Sequence, residues 1–92
     1  MKNNKIGIDI TDKGMNINIL FGLMVKQYRM NKNLSQEDFV FECGLHRTYI
    51  GQIERAEKNI TIRNVEKIAE ALNMDVKDLF DFSKLDKDII NR

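Results

Sequence analysis

Between Leu45 and Asn59 the chain reads LHRTYIGQIERAEKN. Read as a helix, at about 100° per residue, this stretch turns Ile50 and Ile53 inward, with His46 and Tyr49 nearer their side. Arg47, Thr48, Gly51, Gln52 and Arg55 then share the opposite face. That face offers guanidinium forks, a hydroxyl with a methyl, and an amide. These are the groups that match base edges: arginine bonds guanine bidentately, glutamine pairs with adenine, and threonine bonds or touches a thymine methyl. Gly51 costs about 1 kcal/mol against alanine in a helix interior, which makes sense if the face must come close to something bulky. Taken alone, an Arg/Gln/Thr face is more often simply solvated.

Little else in the chain offers chemistry. There is one histidine, His46, and one cysteine, Cys43. No internal disulfide can form, and a multi-cysteine metal site is excluded. Cys43 reads as a buried helix position, and His46 as a helix cap or phosphate neighbour rather than a metal ligand. No nucleophile elbow, phosphate loop or metal-ligand spacing is present. No enzyme activity, catalytic residue, cofactor or metal is therefore expected. The longest apolar run, Ile19 to Val25, is far short of the roughly 20 residues of a membrane span. The N-terminus has no apolar signal-peptide core, and a lone thiol fits a reducing compartment, so the expectation is a cytoplasmic protein.

With 92 residues and a formal net charge of +1, the prior is one small domain with a thin core. The charge is uneven. Up to Asn33, Lys2, Lys5, Lys13, Lys26, Arg29 and Lys32 stand against only Asp9 and Asp12, so a positive face is possible despite the small total.

The elements that must carry the polar face are helical. Residues 1–15 are polar with a brief alternation and read as an arm or edge strand. From Asn16, Leu20, Phe21, Met24 and Tyr28 recur at helical spacing, and Asn33 suits the left-handed cap position. Ser35 with Asp38 resembles a capping box and opens a second helix with Phe39, Val40 and Cys43 inside. Gly44 ends it, and Leu45 and His46 link to the third. A fourth helix begins near Thr61, with Ile62, Val65, Ile68, Ala69 and Leu72 on its inner side. Asn73 again suits a left-handed cap. Asp75 and Asp78 can cap a fifth helix carrying Val76, Leu79 and Phe80, and the tail spaces Phe82, Leu85 and Ile89 as a stripe. The expected class is all-α with five helices: an arm at 1–15, a helical domain at 16–80 and a helical tail at 81–92.

Two short helices joined by a glycine-containing turn describe a helix-turn-helix. Counted from Gln36, apolar Phe39, Cys43, Leu45, Ile50 and Ile53 take the fourth, eighth, tenth, fifteenth and eighteenth places, and Gly44 the ninth. Together SQED, RTYIGQIER and EKIAEAL resemble the lambda-repressor/Cro-like helix-turn-helix family of DNA-binding regulators, over about Ile19 to Phe80. The size and the residues RTYI, IER and TI look most like controller proteins of restriction–modification systems. Some positions depart from the family pattern. Val40 stands where alanine is usual, Asn33 and Ala56 where glycine is common, and His46 where serine or threonine caps the third helix.

The resemblance implies a sequence-specific transcriptional regulator of double-stranded DNA. It implies that Arg47, Thr48 and Gln52 read bases, with Arg55 beside them. Gln36 would anchor a phosphate, and Asn59 and Thr61 would offer donors to phosphate. Tyr49 either touches DNA or packs at the helix edge. Arg29 and Glu54 would form a structural ion pair behind the reading face. Glu37, Asp38 and Glu42 form either an acidic patch for RNA polymerase or a solvated helix face. One short helix reads few base pairs, so a homodimer on a palindromic operator is expected. Phe80, Phe82, Leu85 and Ile89 are the expected dimerisation stripe; otherwise they fold back on their own core. The competing function is a protein-interaction module, such as an antitoxin or adaptor, which need not keep base-reading groups on the third helix.

Overall fold

The computed structural model describes residues 15–91, and the arm or edge strand expected before Met15 lies outside them. The described chain runs α1 (Ile17–Asn31), α2 (Gln36–Cys43), α3 (Arg47–Glu54) and α4 (Ile62–Ala71), followed by three 3-10 turns at Val76–Phe80, Phe82–Lys84 and Lys87–Asn91.

The helix starts are side-chain caps that satisfy otherwise orphaned N–H groups. Asn16 accepts from the Ile19 amide at 3.0 Å, Ser35 from Asp38 at 3.0 Å, and Thr61 from Asn64 at 3.1 Å. His46 caps α3 through its ring, Nδ1 accepting from the Thr48 amide at 3.1 Å, so the missing serine or threonine is replaced in kind. All four helices end on left-handed residues, Asn33, Gly44, Ala56 and Asn73, with φ of 60°, 72°, 61° and 57°. After α3, Glu57 donates to the Gln52 carbonyl and Ala56 to that of Ile53, the paired bonds of a Schellman ending. Ala56, lacking the short polar side chain that eases this conformation, carries about 1–2 kcal/mol of strain there.

The expected fifth helix is a single 3-10 turn at Val76–Phe80, and Asp75 makes no capping bond with its side chain. Five residues give too few α-helical bonds to repay nucleation, so packing of buried Leu79 holds the turn instead.

Two apolar clusters flank α1. Phe21 and Val25 join Phe39, Cys43, Ile50, Ile53, Val65, Ile68, Leu72 and Leu79 in the main core. Leu20 and Met24 face the other way and meet Leu85 and Ile89. Leu85 and Ile89 therefore do not face outward as a dimerisation stripe, and Phe80 and Phe82 are half-buried. Leu85 and Ile89 are buried within their own chain. Phe80 stacks on Phe21 with ring centres 5.1 Å apart, and Phe82 meets Phe80 edge-on at 6.3 Å. Buried Gln27 fastens this return: Nε2 donates to the Lys84 carbonyl at 2.9 Å, and Oε1 accepts from the Asp86 amide at 2.6 Å. Ile62, whose spacing places it on the inner side of α4, is instead 83% exposed, because as the first residue of the helix it projects past the core.

Gly22 sets the distance between α1 and α3. A methyl there would lie 2.4 Å from the Ile53 carbonyl oxygen and 3.0 Å from that of Glu54. Both obstacles are backbone, so one helix must move. Gly22→Ala is expected to destabilise by about 2 kcal/mol, since overpacking of up to about 3 kcal/mol is offset by about 1 kcal/mol of helix propensity. Thermal melting checks this, and an unchanged or higher Tm would show that the helices separate freely.

Candidate nucleic-acid interface

Behind the α3 face, Arg29 at the end of α1 reaches Glu54 at the end of α3. Arg29 Nε lies 2.6 Å from Glu54 Oε2, with the two side chains 10% and 4% exposed. Arg29 Nη2 donates to Glu54 Oε1 at 3.1 Å, and Nη1 to the Leu34 carbonyl at 2.6 Å. The guanidinium thus ties α1, the α1–α2 turn and α3 together. Gln36 joins from α2, its Nε2 donating to Glu54 Oε1 at 3.1 Å. Among the described residues no buried side-chain nitrogen or oxygen lacks a partner, which is what makes a buried charge pair tolerable.

In front, a shallow hollow of about 260 Å³ is lined by Gln36, Arg47, Thr48, Gly51 and Arg55. These residues come from the start of α2 and from α3 and its C-cap. Arg47 and Thr48 are exposed and Gln52 is half-buried. A methyl on Gly51 would meet Arg55 Nη1 at 3.0 Å, so the bare glycine lets the Arg55 side chain lie across the helix. One amide, one hydroxyl and two guanidiniums thus open on a single concave surface, a donor-rich arrangement suited to bases and phosphates.

Each guanidinium is already paired. Arg47 Nη1 lies 3.1 Å from Glu37 Oε2, and Arg55 holds Glu57 through Nε at 2.9 Å and Nη2 at 3.2 Å. The hydrogen bonds between Arg55 and Glu57 raise the pKa of the guanidinium and lower that of the carboxyl. The sequence marks Glu37 only as part of an acidic face on α2 and singles out no role for Glu57, for which the charge alternation R–A–E at 55–57 is the one available signal.

The remaining expected contact residues lie elsewhere. Tyr49 is half-buried against the core, its hydroxyl accepting from Asn64 Nδ2 at 3.1 Å, which favours the packing role. Asn59 accepts from Asn18 Nδ2 at 2.7 Å and Thr61 caps α4; neither lines the hollow. Phe80, Phe82, Leu85 and Ile89 pack on α1 and its neighbours instead. Burial pushes the Cys43 thiol pKa up. No described helix is long and apolar enough to cross a membrane.

Comparison with known proteins places this geometry. A helix-turn-helix family model matches residues 25–79. Control protein C.BamHI of Bacillus amyloliquefaciens is 52% identical over 71 residues, spanning 76% of this chain and 88% of its own. The restriction-modification controller protein C.AhdI from Aeromonas hydrophila superposes with a TM-score of 0.67 at 38% identity, over 68% of this chain and 96% of that one. Controller protein C.Esp1396I, solved as a tetramer with its natural 35 base-pair operator, gives 0.66 at 32% identity over 79% and 93%. The chain belongs to the helix-turn-helix family, in which its sequence and fold are similar to those of restriction–modification controller proteins.

Proposed function

We propose that the protein is a cytoplasmic, sequence-specific transcriptional regulator. It binds a palindromic operator as a homodimer and serves as a controller of a restriction–modification locus. The observation that carries this reading is the α3 face: Arg47 and Thr48 are exposed and Gln52 is half-buried on a helix whose Ile50 and Ile53 lie in the core. A module built only to bind protein would have no need of that set on a helix fixed by a buried ion pair. Gln36, whose amide keeps a second N–H after bonding Glu54, is the phosphate anchor at the start of α2. Arg55, Asn59 and Thr61 are further backbone contacts; the Thr61 hydroxyl accepts the capping bond and can still donate.

With the tail folded inward, pairing falls to other apolar groups. Val76, exposed just beyond the end of α4, is the group we assign to it. Contact with RNA polymerase falls to α2, where Asp38 and Glu42 are exposed beside Phe41, itself 89% exposed.

The test is one substitution on two kinds of DNA. Arg47→Ala is expected to cost about 1–3 kcal/mol on the specific site and much less on random duplex. Titration of both duplexes at one salt concentration measures it. Equal losses would make Arg47 a backbone contact, and no binding of either duplex by the parent protein would remove the reading.

A further inference from the structure

Both arginines of the α3 hollow carry their own carboxylate, Glu37 for Arg47 and Glu57 for Arg55. The pairs are open to solvent: side-chain exposure is 64% and 68% in the first, 58% and 51% in the second. Pairs this exposed do little for folding. Their effect falls on whatever enters the hollow.

We propose that Glu37 and Glu57 restrain Arg47 and Arg55 from random DNA, so that this face gains specificity by giving up sequence-independent affinity. The inference rests on the DNA-reading function proposed above. Sequence-independent binding comes from cations that neutralise phosphates and release counterions. Here each arginine of the hollow arrives neutralised. A phosphate that approaches either arginine also meets the charge of its carboxylate unless the pair separates.

Base reading does not require that separation. Arginine has five N–H donors, and Glu37 engages Arg47 at Nη1. A guanine edge takes two donors, so Arg47 can read a base and keep Glu37. Arg55 differs, because Glu57 occupies its Nε and Nη2 positions and Nη1 lies over Gly51. Its side-on fork is closed while paired, and only the end-on Nη1–Nη2 edge remains. Glu37 therefore orients a reading group, whereas Glu57 withholds a backbone contact. Both effects lower random binding more than operator binding.

The experiment uses the full chain, the duplex that the parent protein enriches most from a randomised pool, and a scrambled duplex of equal composition. Glu37→Gln and Glu57→Gln keep shape and remove charge. On scrambled DNA each is expected to raise affinity about threefold, and the double variant about tenfold, near 0.1 M salt. The slope of log affinity against log salt on that duplex should steepen by about 0.9 for each arginine released. Affinity for the enriched duplex should rise less, so discrimination falls. Asp88→Asn, which removes an exposed charge in the distant tail, should leave slope and discrimination unchanged. Equal gains on both duplexes, an unaltered slope, or the same effect from Asp88→Asn would overturn the proposal. If the parent protein enriches no sequence, the DNA-reading function itself fails, an outcome distinct from discrimination that survives both substitutions.

Discussion

Glu54→Gln is expected to lower stability by about 3–5 kcal/mol, the usual consequence of removing one side of a buried ion pair. Arg29 is then left with its charge in a site where the side chain is 10% exposed and Glu54 supplies two of its bonds. Gln36 also loses its charged acceptor. For a domain this small such a loss shifts Tm by well over about 10 °C. Removing both charges at once should cost less than removing either, because no buried ion is then stranded. Melts of Glu54→Gln and of the Arg29→Leu/Glu54→Leu double variant test this together. A Tm unchanged by Glu54→Gln would show that water reaches the pair. The consequence for function is geometric: the pair anchors the C-terminal end of α3, so its loss should weaken operator binding without touching the exposed α3 face.

Ile89→Ala is expected to cost about 2–5 kcal/mol, the range for truncating a buried aliphatic side chain. Ile89 is fully buried with Leu20, Met24 and Leu85. The collar around it is fixed by the Gln27 bonds to Lys84 and Asp86, so the cavity cannot close cheaply. The same variant should still sediment as a dimer, because its side chain faces the chain's own α1. Denaturant unfolding and sedimentation read the two effects separately. Full stability with loss of the dimer would return the tail to the role its spacing first suggested. A charged residue at Val76 is expected to show the reverse pattern, a folded monomer.

The contrast between α3 and the tail shows what could be read from sequence. On α3 the wheel separates two apolar residues from a polar set, and only one orientation keeps Ile50 and Ile53 dry. The cap Ser35 and the left-handed Asn33 and Asn73 are legible for the same local reason: one side chain or one dihedral settles each. The tail was not local. Its spacing marks an apolar stripe but not what covers it. The evidence was in α1, where Leu20 and Met24 sit on a different side from Phe21 and Val25 and so need a second covering element. Gln27 carried no periodic signal, because a buried amide is recognised only by the carbonyl and amide it meets. Gly22 was likewise silent, since its need depends on a backbone far along the chain. Glu37 and Glu57 read as solvated acids until α2, α3 and the turn after α3 are placed together.

Hydroxyl-radical footprinting on the enriched duplex reads the pairing of two copies and their placement on DNA in one measurement. If two copies place two α3 helices on one face of DNA, protection should fall in two symmetric half-sites. Their centres should lie about one helical turn apart, roughly 34–36 Å. Protection of a single site, or a footprint without two-fold symmetry, would rule out a paired, base-reading helix-turn-helix.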